Sequence, residues 1–341
     1  MKRIVLTAVL LFMVMLCVRA FAQTASSSGP ASPDPGNVTI PTVTRAVSDQ
    51  KFDQDFGIPS PDVANKSRNV VNPETAKWVT SFLILVSLVP IAFAIRQSIK
   101  GSSLLPIAVA LSGAAGVFAE VYTDVLGAVY WSNAPGSFAT RTIFHLFGRD
   151  MSFIPVSAWI SFGACLTYSC FAVISGRPKT KWLWCVFLLA GLLDWAFEEP
   201  LLAIGGSYVY YGNQPLILLR FPWWWALMNA GGLFLPAAIA YRYRESLRGP
   251  GALVMFFVTP AAFMAFYGFC SWPTFCVING HFPWLITQLS GVFGLAVATI
   301  ATAGTIHLVL RRNPFDLEAG EPEETSESVV EERMRKSLVV S

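Results

Sequence analysis

Seven apolar stretches follow one another at residues 78–96, 103–124, 151–174, 182–203, 222–241, 251–270 and 284–310. Each is close to the roughly 20 residues that a helix needs to span a bilayer. The fourth stretch breaks its own pattern. LLDWAFEEPLL, residues 192 to 202, is apolar around Asp194, Glu198 and Glu199. A further apolar run, IVLTAVLLFMVMLCV, follows the basic start MKR and precedes the small-x-small site Ala20-Phe21-Ala22, which predicts a signal peptide over residues 1–22. An uncleaved anchor helix of the same orientation is the alternative. Residues 23–76 are rich in Ser, Pro, Asp and Asn and poor in large apolar side chains, the composition of a disordered exported arm. Residues 312–341 mix charges and read as a solvated tail. The expected fold is all-α: a polytopic membrane bundle with seven transmembrane helices over residues 77–311.

Composition supports that reading. The chain has 341 residues, 54% hydrophobic and 13% charged, with a mean hydropathy of +0.54, outside the range of ordinary soluble domains. The net charge of +3 is small and its basic residues are dispersed, so a nucleic-acid surface is excluded. Ten basic residues fall at alternate junctions: Arg96 and Lys100; Arg177, Lys179 and Lys181; Arg242, Arg244 and Arg248; Arg311 and Arg312. The opposite loops hold Arg141, Arg149 and Arg220. The positive-inside rule then places the protein in the cell membrane with its mature N-terminus outside and its C-terminus in the cytoplasm. Glycines inside the stretches, among them Gly113, Gly116, Gly231 and Gly232, are expected to let helices approach closely. Cys270 and Cys276 flank an expected outer loop, where an oxidising exterior permits a disulfide; free thiols are the alternative.

An ionisable side chain inside a bilayer costs roughly 2.5–3.5 kcal/mol on insertion scales, so by default it faces a protein interior or a wet cavity. Glu120 and Asp124 stand four apart in FAEVYTDVLGAVYW, and Asp194 and Glu198 repeat the interval in the fourth stretch. Each pair therefore shares one helical face. Both stretches run outward, so the pairs stand at similar height in the outer half of the bundle. Tyr122, Tyr130, Trp131 and Trp195 belong to that level, as do Tyr208, Tyr210, Asn229 and Gln288. A polar cavity lined by these groups and open to the exterior or the outer leaflet is the economical inference. The competing reading is that the acids only bond neighbouring helices or end their helices at the interface. It is preferred for Glu199 and Asp150, near expected boundaries, whereas depth favours a functional role for Glu120 and Asp194.

Paired carboxyls among aromatic rings fit one kind of chemistry. In an apolar surround one carboxyl of a pair can be a neutral acid while its neighbour stays an anion. Such a pair can protonate an oxygen or an alkene and stabilise the resulting cation, with aromatic faces adding cation–π attraction.

At these residues the chain resembles the AveC family of membrane spirocyclases, associated with spiroketal-forming polyketide pathways. The resemblance rests on EVYTDVLGAVYW (120–131), DWAFEEPL (194–201) and SYVYYGNQPL (207–216), and extends over residues 78–310. It implies closure of a lipophilic dihydroxy-ketone into a spiroketal, with dehydration possible on the same scaffold. Glu120 or Asp194 would protonate the hemiketal hydroxyl, and a second carboxylate, with Asp124 and Glu198 in support, would steady the oxocarbenium ion. Neither cofactor nor metal is called for. The exported arm departs from what the family leads one to expect, which bears on the substrate.

Two rivals stand beside this reading. Integral-membrane terpene or carotenoid cyclases and hydratases also resemble small helical bundles with essential acids. A proton-coupled transporter or seven-helix sensor is the alternative of another class; a retinal protein is disfavoured because the last stretch has no lysine for a Schiff base. The genes neighbouring this one would discriminate among the three.

Overall fold

The computed structural model describes residues 73–320, apart from 132–136, 148, 205–206, 211, 279 and 281. The expected signal peptide, nearly all of the exported arm and the chain beyond Gly320 lie outside the described residues.

Helical rods occupy each of the apolar stretches. The first is α1 (Pro73–Gly101), unbroken in spite of Pro90. The second joins α2 (Leu105–Leu111) to α3 (Val117–Gly127) through a 3-10 turn at Ser112–Gly116, and the third joins α4 (Phe153–Ser161) to α5 (Tyr168–Ser175) through a π segment at Phe162–Thr167. Then come α6 (Thr180–Ile204), α7 (Trp224–Arg242), α8 (Met255–Ile278) and α9 (Trp284–Gly304). Five rods, at 74–101, 105–127, 153–175, 249–278 and 284–309, are long and apolar enough to cross a membrane. The other two are α6, which carries Lys181 and the three acids, and α7, whose residues are nearly all buried. The chain is a helical membrane protein in which α7 is the central post, packed against α5, α6, α8 and α9.

Short strands also form, which the sequence reading did not expect. β1 (Val129–Trp131) pairs with β4 (Tyr208–Tyr210), β2 (Thr142–Leu146) with β3 (Arg149–Ser152), and β5 (Ile217–Leu218) with β6 (Phe221–Pro222), all antiparallel. They lie in the connections after α3 and after α6, so one end of the bundle is capped by ribbons. The basic clusters sit at the other end.

Glycine determines how closely the second and third rods meet. A Cβ on Gly113 would stand 2.5 Å from Gly163 Cα and 2.3 Å from the Trp159 carbonyl oxygen, so backbone touches backbone at the two irregular turns. One turn further on, a Cβ on Gly116 would stand 1.9 Å from the Trp159 ring. The space that Gly116 leaves free is therefore where the Trp159 indole lies. On α7, Gly231 and Gly232 accept the rings of Phe266 and Phe263 in the same way. α1 is peripheral: Val79 and Leu83 pack on Ile154 and Ala158, while Leu85, Leu88 and Ile99 face outward.

Two expectations are corrected. Cys270 and Cys276 do not flank a loop: both lie within α8, Cys270 buried and Cys276 exposed, and both are free thiols. Six residues of helix separate their Cα atoms by about 9 Å along the axis, too far for a disulfide. The chain after Arg311 is also not simply solvated. As far as Gly320 it folds back on the start of α6, where the Leu317 and Ala319 carbonyls each accept a hydrogen bond at 2.9 Å, from Lys181 N and Thr180 N. The Pro314 carbonyl accepts another from Trp184 Nε1 at 2.8 Å, and Glu318 takes both Lys179 and Lys181, which hold its carboxyl down at about 2. These contacts satisfy amide groups that a helix N-terminus leaves without intrahelical partners.

Close packing at Gly113 gives a prediction. Gly113→Val should destabilise the detergent-solubilised protein by about 1–3 kcal/mol, seen as a lower thermal midpoint. Gly304→Ala, with no atom within 4 Å of the new Cβ, should be neutral or slightly stabilising.

Candidate active site beneath a two-stranded ribbon

The four paired acids are brought to the ribbon end. α3 stops at Ala128, which takes a left-handed conformation (φ 55°) and returns its N–H to the Asp124 carbonyl. The chain turns there, and β1 carries Trp131 back over the helix it has just left. Trp131 Nε1 then donates to Glu120 Oε1 and to Asp124 Oδ1, each at 3.1 Å. Trp159 Nε1 donates to Glu120 Oε2 at 3.0 Å, and Thr123 Oγ1 to the same oxygen at 3.4 Å. Glu120 is thus clamped between two indoles, one from the β1 strand and one from the third rod.

The second pair is served from elsewhere. Tyr208 and Tyr210 donate to Glu198 Oε2 at 2.8 and 2.7 Å. Asn229 Nδ2 donates to Asp194 Oδ2 at 2.8 Å and to Glu198 Oε1 at 3.4 Å, and the Asn229 carbonyl oxygen accepts from Tyr267 Oη. Asp194 and Glu198 are 2% and 6% exposed, so protein groups stand where water would. Carboxyl meets carboxyl within each pair. One shared proton makes such a contact attractive, whereas two anions would repel. Asp194 Oδ1 receives no N–H or hydroxyl donor, and neither does Asp124 Oδ2.

The ribbon joins the two pairs. In its register Trp131 lies opposite Tyr208 and Val129 opposite Tyr210, and the Trp131 and Tyr208 rings sit 4.6 Å apart. Side chains alternate across a strand, so these four share one face, and that face roofs a cavity of about 200 Å³. Glu120, Asp194, Glu198 and Asn229 line the cavity beneath it, with Trp225 as an aromatic wall. Glu120 lies within electrostatic reach of both Asp194 and Glu198. No family model, curated protein or solved structure matches the chain.

Several residues expected at the site lie elsewhere. Tyr130 occupies the ribbon's opposite face, where the Arg149 guanidinium stands 5.9 Å from its ring centre. Tyr122 is exposed at the periphery and meets Phe147 edge to face. Trp195 packs on Trp223 at 5.0 Å, and the Gln288 Oε1 accepts the Leu216 N–H at 2.8 Å. None of these lines the cavity. Asp124 sits behind the Trp131 indole, with buried Arg149 reaching its backbone carbonyl at 3.5 Å. Glu199 turns away from the pairs to accept the backbone N–H groups of Arg220 and Phe221, at 3.0 and 2.9 Å, which closes the β5–β6 turn. Exposed His145 bonds Asp150 at 2.8 Å.

Trp159 and Tyr267 were missed. Their signal was weak, since each shares its rod with a second hydrogen-bonding ring, Tyr168 or Trp272: buried Trp and Tyr find partners for their polar atoms, but a sequence does not say which.

Asn229 connects Asp194, Glu198 and Tyr267, so Asn229→Leu should destabilise the protein by about 1–3 kcal/mol through the groups left without partners, while Tyr122→Leu should be near neutral. A pH dependence follows from the roof. Burial, followed by the Glu198 charge, raises the Tyr208 and Tyr210 phenols well above their usual value. Their contribution is present below the unfolded phenol pKa of about 10 and fades as pH rises beyond it. Alkaline thermal midpoints should therefore fall less steeply in the Tyr208→Phe, Tyr210→Phe double variant.

Proposed function

We propose that this chain is a membrane-embedded acid catalyst that cyclises a lipophilic substrate through an oxygen-stabilised carbocation, with no cofactor. The observation that carries the reading is the unequal solvation of the carboxyls in one cavity. Glu120 accepts donors at both oxygens, which suits a standing carboxylate; Asp194 Oδ1 receives none, which suits an oxygen carrying the proton. Resemblance to the AveC spirocyclases narrows the reaction to spiroketal closure. Asp194 protonates the hemiketal hydroxyl, the C–O bond breaks, and water leaves with the bonding electrons. The oxocarbenium ion is held by the Glu120 carboxylate and by the Trp131 and Trp225 faces. The second hydroxyl then forms the new C–O bond and returns its proton to the Asp194–Glu198 pair, which restores the starting state.

Tyr208 and Tyr210 hold Glu198, and Asn229 holds Asp194, so these three are positioning residues. In the same reading all seven rods cross the cell membrane. The basic end faces the cytoplasm and the ribbon end faces outward, which sets the cavity in the outer half of the bilayer.

Assay of the nanodisc-embedded protein with an alkyl-tailed dihydroxy-ketone tests the chemistry. Asp194→Asn should lower turnover by about 10²–10⁴-fold, the usual contribution of a general acid, with folding retained, while Glu199→Gln should have little effect. Near-normal turnover by Asp194→Asn would remove the assignment. Orientation is tested separately in a background with Cys185 and Cys276 replaced by serine: a membrane-impermeant reagent outside intact cells should label Asn213→Cys and spare Ser246→Cys.

A further inference from the structure

The cavity does not end at the acids. From Asp194 it continues between the third rod and α6, past Ala190 and Cys165 to Val186 and Val173. Its charged lining residues, Glu120, Asp194 and Glu198, all stand at the ribbon end, and the limb beyond them is apolar apart from thiols and the Ser161 and Ser169 hydroxyls. The limb follows the π segment Phe162–Thr167, whose Phe162, Cys165 and Leu166 line it. Leu83 and Val86 of α1, a rod whose far face is exposed, also line it.

We propose that this limb holds the alkyl chain of a single-chain amphiphile whose neutral, oxygenated head lies against Glu120 and Asp194. The proposal rests on the catalytic reading above and names the substrate class of the same site. Three observations carry it. The first is shape: a volume of only about 200 Å³ is drawn out along α6 from Leu201 to Val186, an elongated space that suits one extended chain better than a compact ring system. The second is charge: a phosphate head would meet three carboxyls and no cation among the lining residues. The third is hydrogen bonding. Neither the buried indole N–H of Trp225 nor Asp194 Oδ1, the oxygen that carries the proton in the catalytic reading, has a partner within the protein, so the head end offers two donors to the oxygen of a hydroxyl or carbonyl. Asp194 to Val186 is eight residues of helix, about 12 Å, the length of an extended chain of about nine or ten carbons.

The test is photolabelling of the full chain in nanodiscs by a decanol analogue with a terminal diazirine. Label is expected on residues 165–190 of the limb and should be displaced by decanol, more weakly by hexanol and by tetradecanol. Val186→Trp, which fills the far end, should cut labelling by about an order of magnitude and shift the preferred competitor toward hexanol. Val173→Trp on the opposite wall and the wild-type chain-length series test the same slot and separate its loss from loss of the fold. Label confined to the outer face of α1 near Leu85 and Leu88, competition indifferent to chain length, or stronger displacement by decyl phosphate would overturn the proposal. The two readings fail separately. Limb labelling with full turnover by Asp194→Asn leaves the subsite and removes the acid. Lost turnover in that variant without limb labelling does the reverse.

Discussion

A carboxyl group buried without hydrogen-bond donors is among the most costly things a fold can contain, and this bundle buries Asp124, Asp194 and Glu198 and half-buries Glu120. The ribbon end is organised around supplying what they require. Thr123 supplies a local donor within α3, and the others converge from the third rod, from both strands of the β1–β4 ribbon and from α7. The left-handed turn at Ala128 swings Trp131 back over α3. The hollow at Gly116 admits the Trp159 ring. Pairing of β4 with β1 sets Tyr208 and Tyr210 above Glu198. Each device is ordinary, and together they make an interior in which acids are solvated by protein instead of water.

How much of this was legible in the sequence depended on the distance over which each signal acts. The rods were legible because twenty apolar residues form a local, repeated pattern, and the paired acids because an interval of four is a property of one helix. The ribbons were not, since strands of two or three residues carry too short an alternation to read. That omission misplaced Tyr130: a sequence lists it beside Trp131, while strand parity sends the two rings to opposite faces. Gln288, Trp195 and Tyr122 were misassigned for a related reason, because height along a rod was inferred but rotation about its axis was not. The cysteine pair failed for want of a helix end. MAFYGFCSWPTFCVI contains two breaks in apolarity and one proline after Cys270, yet α8 runs through them all.

The cavity is uneven in a way that suits its surroundings. Its polar groups are concentrated where the ribbon closes the bundle, and its apolar limb runs along α1 and the third rod, both long and apolar enough to cross a membrane. A molecule with one oxygenated end and one greasy end would find the same gradient inside the protein that it leaves in the bilayer, so entry requires little reordering of its contacts.

The strap across the start of α6 has a consequence for the order of events during synthesis. Thr180 and Lys181 wait for the carbonyls of Ala319 and Leu317, which emerge from the ribosome well over a hundred residues later. The helix that carries Asp194 and Glu198 is therefore made with its first turn unfinished, and its final seating waits for the chain around residues 317–319. A nascent chain halted before residue 317 would hold all four acids yet lack the fastening at the opposite end of their helix.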